Sequence, residues 1–287
     1  MLTPKFILSI LLILLSSTTF AEYRLITLGS NATETVFALG LGDKVVARDY
    51  GSTFPKAVND LPSLGQGHKI KAEEILKHNP THIVVWDKRA SNTGVIEKLK
   101  KAFVQIVELG IKDSTQQTEE NIKAVAKAFG KEAEGEKLIA KVQSDIQKVS
   151  EYNKTKKNSP NAIFIYARGI GTLFLAGQGS SAQTLLELAG AQPAVKGFHG
   201  FKPVNAETII EADPEVVMLF HSGLESLGGQ EKLAEVPGLK LTKALKNGKI
   251  VAIDDRALNF GPRIGLFAME LAQKLQGDLE PTAKVNE

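Results

Sequence analysis

The 287-residue sequence contains no cysteine. This excludes disulfides, thiolate metal sites, a cysteine nucleophile and a lipid-modified cysteine anchor. The Gly-Lys-Ser/Thr of a phosphate-cradling loop, the Gly-x-Ser-x-Gly of a serine-esterase elbow and the His-Glu-x-x-His of a zinc hydrolase are missing too. With the five histidines dispersed, neither a metalloenzyme nor a dedicated zinc or manganese carrier is favoured. Charge of one sign is also lacking: 35 Lys and Arg stand against 32 Asp and Glu, a formal net charge of +3. The basic residues are interleaved with acids and the run Lys154–Lys157 reads as a solvated linker, so nucleic-acid binding has little support. Long apolar runs are missing after the first 20 residues. The one that exists, FILSILLILL after Met1 and Lys5, is short for a bilayer span and is followed by SSTTFA. Thr19 and Ala21 occupy positions that need small side chains, which predicts a leader over residues 1–21 and a mature chain starting at Glu22, with an uncleaved anchor as the alternative. The remaining length is ample for a core and lies where one core tends to split into two.

What is present is a repeat. Lys71–Trp86 reads KAEEILKHNPTHIVVW and Asn205–Phe220 reads NAETIIEADPEVVMLF. Each has Ala-Glu, an Ile two residues after that Glu, a Pro seven residues after it, and then an apolar β-type run. The pattern predicts a short helix stopped near proline and then a buried strand, once in each half of the chain. Two similarly built lobes follow, with Glu73 and Glu207 at equivalent places near the starts of related helices.

The first lobe, residues 22–130, is expected to begin with strand Arg24–Leu28 and helix Glu34–Leu39, capped by Asn31 or Thr33 and closed by Gly40. Strand Lys44–Arg48, a loop containing Tyr50, helix Ala72–His78, strand Thr81–Trp86, helix Val95–Phe103, strand Gln105–Leu109 and helix Gln116–Phe129 follow. Residues 131–157 are expected to form a connector, with a helix packed wholly on one lobe as the alternative: Leu138, Ile139, Val142, Ile146 and Val149 make an apolar stripe on a helix Glu132–Tyr152. At about 1.5 Å per residue it reaches roughly 30 Å. The second lobe, residues 158–287, is expected to contain strand Ala162–Tyr166, a glycine-rich loop, helix Ala182–Ala189, the loop Phe198–Pro203, the repeated helix and strand, helix Gln230–Ala234, strand Ile250–Ile253 and helix Ile264–Leu275. Alternating strands and helices predict an α/β fold of two lobes, each a largely parallel sheet with flanking helices, joined by one long connecting helix.

The segments ITLGSNATETVFALG, GQGHKIKAEEILKHNPTHIVV, FLAGQGSSAQTLLELAGA, FKPVNAETIIEADPEVVML and VAIDD together resemble periplasmic substrate-binding proteins of ABC importers. The class resembled is the one that carries iron-siderophores, vitamin B12 and haem, with lobes joined by one long helix (class III). The resemblance covers essentially the whole mature chain, and AGQGSSAQTLLELAGA, GFHGFKPVNAE and DDRALNFGPR look most like the haem-binding branch. It implies a monomeric periplasmic carrier, not an enzyme, with no intrinsic cofactor. Haem would be captured in the interlobe cleft and delivered to the permease dimer of the inner membrane; a cobalamin or ferric-siderophore carrier is the alternative. Glu73 and Glu207 match the family positions that dock on basic sockets of the permease.

In the haem-binding branch the loop before the KAEEIL-type helix commonly supplies a tyrosine to iron, but here Gln66 stands at that place. Where branch members add a histidine after the second lobe's first strand, this chain has Arg168. His68 is then the candidate iron ligand, in a glycine-flanked loop able to approach a flat ring, with an exposed loop histidine as the alternative. Tyr50 lines the same cleft or ligates as phenolate. His199 and His221, on second-lobe loops, are candidate second donors or ordinary loop histidines, whereas His78 and His82 are structural. Lys69, Arg168 and Lys202 are candidate partners for propionates, followed by Arg48, Arg256 and Arg263. Phe174, Phe198, Phe201 and Phe260 are candidate walls.

Overall fold

The computed structural model describes residues 22–66, 69–86 and 93–282. In chain order the first half contains β1 (Leu25–Leu28), α1 (Ser30–Ala38), β2 (Val45–Arg48), α2 (Ala72–Leu76), β3 (His82–Val85), α3 (Thr93–Lys101), β4 (Gln105–Glu108) and α4 (Thr115–Ala128). The long helix α5 (Glu132–Lys154) follows. The second half contains β5 (Asn161–Ala167), β6 (Leu173–Ala176), α6 (Ser181–Leu188), β7 (Gln192–Pro193), β8 (Phe201–Pro203), α7 (Ala206–Ala212), β9 (Val216–Phe220), α8 (His221–Ser226), α9 (Lys243–Lys246), β10 (Ile250–Ile253) and α10 (Ile264–Gln276).

The four strands of the first half form a wholly parallel sheet in the order β2-β1-β3-β4. The second sheet runs β10-β9-β5-β6-β8, with β7 on the amino end of β5. The duplicated segments therefore fall in different sheets, α2–β3 in the first and α7–β9 in the second. Strands β10, β9 and β5 are parallel, but β5–β6 and β6–β8 are antiparallel. This corrects two expectations. The glycine-rich stretch contains a strand, β6, and the segment read as the loop Phe198–Pro203 ends in another, β8. The residues read as helix Gln230–Ala234 form a 3-10 turn over Gln230–Glu235.

The cap of α1 is also corrected. Gly29 is the N-cap, while Asn31 and Thr33 are buried inside the helix. Gly29 has φ +108°, and a Cβ there would stand 2.8 Å from the Cβ of Trp86, so only glycine lets the end of β1 pass the end of β3 this closely. The Thr33 hydroxyl turns back to the sheet, 2.8 Å from Thr27 Oγ1 and 2.7 Å from Ser52 Oγ.

Helix α5 buries Gly135, Ile139, Val142, Asp145 and Val149, one residue every three or four, against α4 on one side and α10 on the other. Its 23 residues extend roughly 34 Å at 1.5 Å per residue. The approach of α10 is close: a Cβ on Gly265 would lie 2.7 Å from Asp145 Cβ and 3.0 Å from the Asp145 carbonyl carbon. Asp145 is the acid in this buried stripe. Burial works against its ionisation, but bonds from Lys141 and Lys148 outweigh burial and hold its carboxyl below the ordinary range. The connector is thus part of the core and not a free-standing rod. One continuous cluster runs from Leu25, Val36 and Ile122 of the first half through Val142 to Phe164, Leu185, Ile264 and Leu271 of the second. Separate clusters fill the outer layer of each lobe, around Ile75 and Ile83 in the first and Ile209 and Leu233 in the second.

Candidate functional site

In parallel sheets, ligands bind beyond the carboxyl ends of the strands, where the loops diverge and backbone groups are available. Here those ends carry Tyr50 after β2, Trp86 after β3, Arg168 after β5, His221 after β9 and Asp254–Arg256 after β10. Helices α2 and α7 run back along the strands they precede, so their first turns lie level with the same ends. Glu73 and Glu207 occupy those first turns, and both are exposed.

The Tyr50 loop is extensively bonded. The Asp49 carboxylate accepts from the Gly29 amide at 3.0 Å and from the Ser52 hydroxyl. Ser30 donates to Gly51 O at 2.7 Å, and the Tyr50 amide donates to Gly65 O at 2.8 Å. Arg48 Nη1 reaches the carbonyls of Asp49 and Tyr50 at 3.1 and 3.4 Å. On this fixed frame the Tyr50 side chain remains 66% exposed.

In the second lobe, Arg168 donates from Nε to the Tyr166 hydroxyl at 2.8 Å. The bond to Tyr166 holds the guanidinium above its ordinary range, and Asp255 adds to this more weakly. Tyr50 follows β2 of the first sheet and Arg168 follows β5 of the second, so both stand at strand carboxyl ends. Gly65 adjoins Tyr50 through its carbonyl. Gln66 and Lys69 are exposed there, and the Lys69 amide donates to Gln66 O at 2.9 Å. His68 lies outside the described residues.

His221 opens α8 directly after β9 and is half-buried. With Thr53, Asp255, Arg263 and Phe267 it lines a groove of about 750 Å³ that continues along α10. That volume is in the range of small-molecule sites. Its walls include neither Tyr50 nor Arg168.

Other sequence candidates stand elsewhere. Phe201 pairs with Ala176, and Gln178 bridges His199. Following that register along β5 sets His199 near the strand's amino end, roughly 20 Å from the level of Arg168 at about 3.3 Å per residue. Lys202 lies opposite Leu175 on the edge strand, its amine 5.1 Å from the centre of the Phe198 ring. Phe260 is buried in the core and is no wall. Phe174 and Phe198 are half-buried in the second lobe, and Phe201 is exposed. Arg256 is held by Asp254 and Arg263 by Glu34, so neither awaits a ligand carboxylate. Burial raises the Asp254 carboxyl, but bonds from Arg256 outweigh that and hold it low. His82 is structural: its ring sits edge-on between Tyr23 and Phe129 at 5.3 and 5.1 Å, and burial lowers its pKa.

Sequence reasoning missed Tyr166, which orients Arg168, and Phe54, whose ring carries Arg263. Tyr166 ended a predicted strand and Phe54 lay in a predicted loop, but neither position alone signals its partner. Among the described residues there is no group of three His, Asp or Glu placed to hold a metal ion, and no helix long and apolar enough to cross a membrane.

A family model described as periplasmic binding protein matches residues 25–257. Among solved structures, the chain is similar to the periplasmic heme-binding protein RhuT from Roseiflexus sp. RS-1 in apo form. The two are 32% identical, with a TM-score of 0.83 over 88% of this chain and 97% of that one. An uncharacterized ABC transporter substrate-binding lipoprotein of Bacillus subtilis, YvrC, is 23% identical, covering 89% of this chain and 80% of its own. A vitamin B12-binding protein of Vibrio campbellii is 25% identical over 71% of this chain and 73% of the relative.

Proposed function

The chain belongs to the periplasmic binding protein family, and from that premise we propose that it captures haem between its lobes and delivers it to the inner-membrane permease of an ABC importer. Membership makes it a binding protein of the importer type. The likeness to RhuT supports haem as the cargo. The observation that carries the reading is Tyr50, an open phenol on a braced loop at the carboxyl end of β2, with Arg168 at the carboxyl end of β5 in the second sheet.

Haem presents an apolar ring, two carboxylates and an iron seeking an axial oxygen or nitrogen. Tyr50 supplies a ring face or a phenolate oxygen, and His68 an imidazole. Arg168 and Lys69 are the cations for the propionates, and Gln66 lies in the same loop region as Lys69. His221 flanks the cleft from the second lobe, whereas His199 is too far along the sheet to share it. Export by a leader cleaved after Ala21 and action as a monomer complete the proposal.

A second reading, cobalamin, is favoured by the relatives named as vitamin B12-binding proteins. A ferric siderophore would use Arg168 and Lys69 without needing His68. Titration separates these. Hemin added to the purified mature protein is expected to give a saturable Soret band at about one equivalent. Tyr50→Phe or His68→Ala is expected to shift that band for whichever residue meets the iron. A protein that leaves the hemin spectrum unchanged but saturates with cobalamin would overturn the haem reading.

A further inference from the structure

Glu34 stands in α1 of the first lobe, and Arg263 immediately precedes α10 of the second. Arg263 Nε meets Glu34 Oε2 and Arg263 Nη2 meets Glu34 Oε1, both at 2.9 Å. The two side chains are only 14% and 5% exposed. The guanidinium also lies 3.6 Å from the centre of the Phe54 ring, which belongs to the first lobe, and 4.8 Å from that of Phe267 in α10. Arg263 is therefore engaged by a carboxylate at its edge and by two aromatic rings.

The seam continues on both sides of this pair. Gly261 packs on Asn31, where a Cβ would stand 3.3 Å from the Asn31 Cβ. Thr118 of α4 donates to Phe260 O at 2.7 Å, and Phe260 has φ +46°. Phe54 lies four residues after Tyr50, on the loop that Asp49, Ser52 and Thr33 tie to β1 and α1.

We propose that Arg263 is a positioning residue of the ligand cleft, acting through Glu34 and Phe54: the second-lobe guanidinium fixes the separation of the lobes and the loop that carries Tyr50. The inference rests on the cleft being the ligand site. Its physical basis is the geometry of a fork. A bidentate guanidinium–carboxylate contact between two ring faces tolerates little rotation or translation, whereas a lysine ammonium supplies one point charge and no plane to stack. Separation of the two bodies is resisted because opening breaks both charge-assisted bonds and the ring contacts at once. Gly29–Ser30, α1 and the Tyr50 loop then move with the second lobe as one assembly.

The test exploits the absence of cysteine. Spin labels on Glu97→Cys and Lys240→Cys, both exposed and one in each lobe, report the interlobe distance in the ligand-free protein. Hemin loss to excess apomyoglobin reports ligand exchange. Arg263→Lys keeps the cation and most of the volume, Phe54→Leu removes only the stacked face, and Leu233→Ala weakens the outer core of the second lobe without touching the seam. The expected result is a broadened distance distribution in Arg263→Lys and Phe54→Leu, with hemin loss faster by about fivefold or more. Leu233→Ala should lower the melting temperature and change neither readout. Unaltered distances and exchange in both seam variants, or equal changes in Leu233→Ala, overturn the proposal. If hemin does not bind at all, the haem reading fails while the distance measurement still decides the role of Arg263.

Discussion

At Asp113, in the loop between β4 and α4, burial raises the carboxyl from 3.8 to about 6. In the unfolded chain the same group ionises near its ordinary value, so between those two points the folded state holds the extra proton. Stability therefore rises as pH falls through that window, and the penalty for a desolvated charge is complete only above it. Asp113→Asn removes the charge and keeps the shape. Thermal melts are expected to show the variant more stable than the parent at about pH 8, with the gain gone by about pH 4. Asp145 has the opposite sign, because its lysine partners depress its carboxyl and their support is lost on acidification. At this scale the sequence revealed positions more readily than partners. Tyr50 and Arg168 were legible because each follows an apolar run that had to be a strand, which puts it at a carboxyl end. The commitment of Arg263 to Glu34 was not, because 229 residues separate the two and no periodicity links them.

The longer helices and the central parallel strands were read within a few residues of their observed bounds, because burial on one helix face or both sheet faces leaves a composition signature. The short α8, α9 and β7 were not read at all. Strands β6 and β8 left no such signature. They have four and three residues, stand among glycines, and gain their hydrogen bonds from each other and from β5. The antiparallel turn back to β6 closes through Arg168 N to Thr172 O at 2.9 Å, so the turn that hid the strand also places Arg168. The contact of α10 with α5 was equally invisible, because Gly265 looks like any helix glycine until the Asp145 backbone is seen against it. Gly265→Ala would need the neighbouring backbone to move. The expected cost is about 1–3 kcal/mol, read as a lower midpoint in urea with an unchanged slope.

For the whole molecule, the duplicated segments correctly announced two sheets with an acid at matching places. The surroundings of those acids differ. Glu73 is held low by its own backbone amide and then by Lys98, 3.1 Å away, in a pair exposed enough for salt to screen. Glu207 follows the Asn205 cap and has no side-chain partner among the described residues. Replacing both by Ala is expected to abolish ATP-coupled uptake in reconstituted vesicles while ligand affinity stays unchanged; a fall in affinity would count against a docking role. What the repeat did not reveal is the sharing of one interior. Two matching halves suggest two independent cores, yet the largest cluster passes through α5 into both.

That shared interior has a thermodynamic consequence. Neither half can melt while the other stays intact, since loss of one strips the apolar stripe of α5 of the side chains that cover it. Heating should therefore produce a single calorimetric peak despite the bilobal outline, and a cut anywhere along α5 would yield fragments prone to precipitate.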